Sequence, residues 1–179
     1  MGRRNIVDPE TERPPEIAGL PVLDRVLTPA ELSAVAEMSR AAQAAGAAPH
    51  PALPELSLPF ELRSRSRLRA RLADGREVAL VLPRGTVLRG GSVVEGGGLR
   101  LRVIAADEDV VEVRAPDSTT LARAAYHLGN RHVPLQVDGE RLRLGYDPIL
   151  VDMLVGLGVR VQRCWAPFEP EAGAYAPHH

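Results

Sequence analysis

An α+β fold is expected of this chain: a small all-β N-terminal domain followed by a ferredoxin-like βαββαβ domain. Leu62, Ser64, Ser66, Leu68, Ala70 and Leu72 alternate with Arg63, Arg65, Arg67, Arg69 and Arg71, the period of two that marks a strand. Two Asp-Gly pairs, Asp74-Gly75 and Asp138-Gly139, fall between strand-like runs as hairpin turns do. From about residue 109 the strand and helix signals follow in the order β-α-β-β-α-β, the split motif of ferredoxin-like domains.

Residues 1–55 read as an extension with one helix and a linker. The first 27 residues are rich in Pro, Glu and Arg and are expected to be disordered or loosely docked. Thr28 is a candidate N-cap, Pro29 suits the first helical position, and Glu31 completes a capping box. Leu32, Val35, Ala36 and Ser39 form one narrow stripe, so this helix buries little, and Gly46 stops it. His50 lies in a linker bracketed by Pro49 and Pro54.

Residues 56–115 read as the β-rich domain. After the alternating run and its Asp-Gly turn, Glu77 to Leu82 is the return strand, ended by Pro83. Glycines punctuate further short strands at 86–89, 92–95 and 99–105. Residues 116–179 form the second domain, whose first strand begins near 109 and includes Val110 to Arg114. Ser118 or Thr119 caps a helix to about His127, and strands at 133–137 and 141–144 flank Asp138-Gly139. Asp147 caps a helix from Pro148 to about Leu157, Val159 to Trp165 is the last strand, and a Pro-rich tail ends in His178 and His179.

The composition narrows the function. The 179 residues suffice for one ordinary domain or two small ones. A formal charge of −1 argues against a dedicated nucleic-acid binder, and the alternating Arg run has no interleaved aromatic residue on which bases could stack. There is no lysine, which removes Schiff-base and P-loop chemistry. Accordingly, Gly91 stands where the Gly85–Ser92 segment would need a P-loop lysine. The single cysteine, Cys164, excludes an intrachain disulfide and a Cys₄ zinc site, and fits a reducing cytoplasm. No apolar run approaches the roughly 18 residues of a membrane span. The N-terminus, with Asp8, Glu10 and Glu12, lacks the apolar stretch of a signal peptide.

Catalytic patterns are missing. There is neither an HExxH nor a GxSxG motif, and Cys164 beside Trp165 in a strand reads as packing. Glu169 and Glu171 sit in the Pro-rich tail without rigid support. The chain is not expected to be an enzyme.

The five histidines, His50, His127, His132, His178 and His179, are the informative residues. On an unbroken helix His127 and His132 would point roughly 140° apart, so they do not clamp one ion together. A capping or hydrogen-bonding role remains open for either. The terminal pair could reach a metal held elsewhere, a tag remnant being the other reading. Imidazole suits Ni²⁺, Cu²⁺ and Zn²⁺ alike.

Several stretches resemble the urease nickel metallochaperones. They are Arg65-Ser66-Arg67, Leu72 to Glu77, Leu82 to Thr86, and above all the run centred on Tyr126-His127-Leu128-Gly129-Asn130-Arg131-His132-Val133-Pro134-Leu135. Asp147 with Asp152-Met153-Leu154, and Pro167 to Tyr175, complete the resemblance over residues 56–176. It implies a homodimer that binds Ni²⁺, with Zn²⁺ or Cu²⁺ as competitors. It further implies delivery to apo-urease together with the urease accessory GTPase complex. His132 matches the family's principal nickel ligand, one from each protomer near the dimer axis, and His178 and His179 could add tail ligands. The neighbours of Asp147 are Tyr146 and Pro148, where relatives often have histidines, so accessory ligands there are not expected. A scaffold in the maturation complex that carries no metal is the alternative.

Overall fold

The computed structural model describes residues 17, 19–46, 48 and 52–172. They form two compact units. One draws on the chain as far as Leu56, on Arg65–Thr86 and on Ser92–Val103; the other draws on Ser57–Ser64, Val87–Gly91 and the chain from Ile104 onward. The architecture is α+β, as expected. No helix among the described residues is long and apolar enough to cross a membrane.

The first unit opens with two short strands, β1 (Val22–Leu23) and β2 (Arg25–Val26). This corrects the expectation of loose chain over residues 1–27 for its described part. Leu23 is fully buried, and β1 pairs in parallel with β5 (Glu77–Val81), Val22 opposite Ala79 and Leu23 opposite Leu80. The Pro- and Glu-rich flanks hide this apolar pair from a composition argument. The approach is close: a Cβ on Gly96, whose φ is 153°, would lie 2.4 Å from the Val22 carbonyl oxygen. Only glycine fits there.

Helix α1 (Pro29–Ala44) carries the expected capping box. The Glu31 N–H donates to Thr28 Oγ1 at 3.3 Å, and the Thr28 N–H donates to Glu31 Oε2 at 2.7 Å. None of its residues is buried, as its alanine stripe leads one to expect.

The long alternating run is shorter than its pattern. After β3 (Glu55–Leu58), helix α2 (Phe60–Arg63) takes its first residues, and β4 (Arg67–Arg71) alone is strand. Pro59 precedes α2, and Arg63 turns inward instead of outward, so local pattern is overridden by a tertiary contact. β4 and β5 form a hairpin with Arg71 opposite Glu77, and Gly75 adopts φ 86° in its turn. Glu77 receives Arg69 Nη2 at 2.6 Å and Arg71 Nη2 at 3.1 Å, so part of the guanidinium face is paired across the hairpin. The sheets of this part have the orders β1-β5-β4 and β2-β6-β7-β3, with β6 at Val93–Gly96 and β7 at Leu99–Ala105. The strand expected at 86–89 does not form; Leu88 is instead buried, its N–H donating to the Arg63 carbonyl at 2.9 Å.

The second unit contains β8 (Asp107–Arg114), α3 (Ser118–Gly129), β9 (Gln136–Asp138), β10 (Arg141–Gly145), α4 (Pro148–Gly156) and β11 (Arg160–Pro167). The sheet order is β11-β8-β10-β9, all antiparallel, which is the fourth-first-third-second order of a ferredoxin-like domain. Val111, Val113, Leu142 and Leu144 point to one face and pack with Ala124 and Leu128 of α3 and Leu154 of α4. Asp117, not Ser118 or Thr119, caps α3, accepting the Thr120 N–H at 2.8 Å. Asp147 caps α4 by accepting the Ile149 N–H at 2.8 Å, with Pro148 in the first turn where its missing N–H costs nothing.

Candidate metal centre

Helix α3 ends in a Schellman motif. The His132 N–H donates to the Gly129 carbonyl at 2.9 Å and the Val133 N–H to the Leu128 carbonyl at 3.3 Å. Val133 packs against the core cluster that contains Leu128, the apolar contact that accompanies such caps. The residue in the left-handed position is His132, with φ 54°, the one described non-glycine residue at positive φ. Glycine is the ordinary occupant of that position, because a Cβ there costs about 1–2 kcal/mol. The imidazole is exposed, so neither packing nor burial accounts for a histidine in a glycine's place.

His127 occupies the last turn of α3 and is half-buried, its ring 5.5 Å from that of Tyr126 in an edge-on arrangement. Its carbonyl accepts Arg131 Nη1 at 3.0 Å. Among the described residues no group of three or more His, Cys, Asp or Glu side chains converges to hold a metal ion. His50, His178 and His179 lie outside the described residues. Cys164, read as packing, is half-buried in β11 opposite Val110, whereas the neighbouring Trp165 is 72% exposed.

The start of the C-terminal segment is firmly held, which corrects the reading of Glu169 and Glu171 as unsupported. Arg63 is fully buried. It donates to the Leu58 carbonyl at 3.0 Å, the Leu88 carbonyl at 3.0 Å, Glu169 Oε1 at 3.0 Å and the Phe168 carbonyl. Glu169 Oε1 also accepts the Gly90 N–H at 2.7 Å, and its Oε2 accepts Arg89 Nη1 at 3.2 Å. Phe168 is buried with its ring 5.8 Å from that of Phe60. Beyond it the Glu169 N–H donates to Gln136 Oε1 at 2.9 Å and the Glu171 N–H to the Leu135 carbonyl at 2.8 Å. Residues 168–171 are thereby held beside the segment that follows His132.

Residues 35–115 match the family described as UreE urease accessory protein, N-terminal domain, and residues 108–179 match its C-terminal domain. Over 127 residues, 70% of this chain, it is 58% identical to a urease accessory protein UreE of Burkholderia thailandensis and 61% identical to one of Ralstonia nicotianae. The aligned stretch spans 60% of the length of both relatives. The family is one of accessory proteins rather than catalysts. On the two domain matches and these identities, the chain belongs to the UreE urease accessory protein family.

Proposed function

We propose that this protein is a nickel carrier for urease assembly. It binds Ni²⁺ through His132 from each of two copies, with His178 and His179 as further ligands, and passes the ion to apo-urease with the urease accessory GTPase complex in the cytoplasm. Zn²⁺ and Cu²⁺ are the expected competitors, since imidazole accepts all three. Within this reading residues 1–55 are an extension, 56–115 the β-rich domain and 116–179 the metal domain. Nucleic acid and membrane have no part in it.

The observation that carries the proposal is the hydrogen bond from the Glu171 N–H to the Leu135 carbonyl. It sets the root of the tail three residues in sequence from Val133's neighbour His132, counting back from Leu135. His178 lies seven positions beyond Glu171, a reach of at most about 25 Å when extended. A single chain does not assemble three ligands among its described residues, which supports a site completed by symmetry. Tyr126, Ile149 and Val155, left exposed on α3 and α4, are suited to burial against a second copy.

Exposed imidazoles make exchangeable ligands, as a carrier requires. They bind metal only when neutral, so protons compete for them. Equilibrium dialysis with metal quantification tests the proposal. Nickel should be retained by the wild-type chain and lost in His132→Ala. Retention by His132→Ala would overturn the ligand assignment, and no binding by the wild type would favour the scaffold.

A further inference from the structure

The face of the ferredoxin-like sheet opposite α3 and α4 carries an unusual row of charge. Directly paired positions in antiparallel strands point to the same face. Arg114 of β8 is paired with Arg141 of β10 on one side and with Arg160 of β11 on the other. Three guanidinium groups therefore stand side by side across adjacent strands, their backbone roots spanning only about 10 Å. Like charges placed directly opposite one another destabilise a sheet.

Among the described residues the row is ion-paired at one end only. At the β9 end Asp138, paired with Arg141, takes its guanidinium. Arg141 also donates to Glu112 Oε1 at 3.1 Å. Arg114 and Arg160 are exposed and make no ion pair or side-chain hydrogen bond with any described residue. Beyond Arg160 the sheet stops, because β11 is its edge. At that edge lies an open cleft of about 570 Å³ lined by Glu112, Arg114, Arg160, Val161 and Gln162.

We propose that this cleft and the β11 edge form a docking surface for an extended acidic segment of a partner protein, which places a carboxylate beside Arg160. The segment completes the row at its open end as Asp138 completes it at the other. An exposed strand edge offers unpaired N–H and C=O groups to an added strand. Guanidinium groups bind carboxylates in a two-point fork. Glu112 and Gln162 provide acceptors for peptide N–H groups, which a phosphodiester chain does not possess. Arg143 donates to Glu112, whose carboxyl is held below its ordinary range first by that hydrogen bond and then by the fields of Arg141, Arg143 and Arg114. No aromatic residue shares the row's face on β8, β10 or β11, so bases find no stacking platform. The inference is independent of nickel carriage, since it uses none of the proposed metal ligands.

The test uses the full chain, isotopically labelled, titrated with a synthetic peptide of alternating Glu and Thr into the millimolar range. Amide shifts should concentrate at Arg160–Gln162 and Arg114, and affinity should fall with added salt. The double variant Arg114→Ser/Arg160→Ser should bind at least ten-fold more weakly while its melting temperature holds or rises, because like-charge repulsion is relieved. Three results would overturn the proposal: no shifts at millimolar peptide, undiminished binding by the double variant, or equal and equally arginine-dependent binding of a thymidine decanucleotide. A ten-fold gain in peptide affinity on deleting residues 1–16 would also overturn it, by assigning the cleft to the chain's own N-terminal segment, which holds Asp8, Glu10, Glu12 and Glu16.

Discussion

The backbone N–H of Glu171 donates to the carbonyl of Leu135 at 2.8 Å, tying the root of the C-terminal segment to the chain just after His132. A tether of this kind raises the effective concentration of tail ligands at a site near its root. Glu171→Pro removes the donor without removing a side-chain ligand. Nickel affinity should fall by roughly three- to ten-fold, comparably to deletion of His178 and His179, while stability falls by only about 1 kcal/mol. Calorimetric titration with Ni²⁺ beside a thermal melt checks both; unchanged affinity would detach the tail from the site.

Arg63 should be the residue of the second unit least tolerant of change. Its guanidinium serves three carbonyls and Glu169 while fully buried. Arg63→Leu takes a donor from each of these carbonyls, that of Leu58 keeping the Ala106 N–H, and should cost about 3 kcal/mol or more. Glu169→Gln keeps an acceptor for Gly90 and Arg63, and should cost about 1 kcal/mol. Urea denaturation of the two variants measures the difference, and near-equal losses would show that the charge pair, not the carbonyl network, dominates.

The same two residues show where sequence reading ended. Caps are local, so Thr28-Pro29 and Asp147-Pro148 were legible from neighbouring residues alone. The split motif was legible because strand and helix periods alternate within one stretch. Arg63 and Glu169 are separated by 106 positions, and nothing local marks either as a partner. Arg63 instead sat in an arginine alternation that reads as an outward strand face, and Glu169 in a proline-rich run that reads as loose. For His132 the family resemblance alone implies a role, whereas Gly129 ends α3 and Asn130 caps it, as a Gly-Asn pair leads one to expect. The left-handed position fell two residues later, where Val133 can reach the apolar core.

Acid should loosen the start of α1. Hydrogen bonds from the Thr28 backbone and hydroxyl, and then from Arg25, lower the Glu31 carboxyl from about 4.5 to about 2. A depressed folded value means that the ionised form stabilises the folded state. That contribution is complete above about pH 4.5 and is lost as the pH falls through about 2. The Glu31 side-chain carbon resonance should titrate near the lower value, and Thr28→Ala should move it upward. A midpoint close to that of a free glutamate would mean that the capping box does not persist in solution.

His132 permits the sharpest test, because its backbone and its imidazole make opposite demands. The φ of 54° is strained for any side chain with a Cβ, and glycine relieves it. His132→Gly should therefore raise stability by about 0.5–1 kcal/mol after allowing for the glycine's extra freedom in the unfolded chain. His132→Ala keeps the strain and should leave stability near that of the wild type. Both remove the imidazole, so both should lose nickel to the same extent. A residue placed there only to cap the helix would give a different pattern, with His132→Gly at least as competent as the wild type in every assay. Thermal melts and nickel dialysis on the three proteins separate these outcomes. A gain in stability joined to a loss of metal identifies a position where strain is retained for the sake of a ligand. Equal nickel binding by the glycine variant would instead leave the histidine's strain without a purpose.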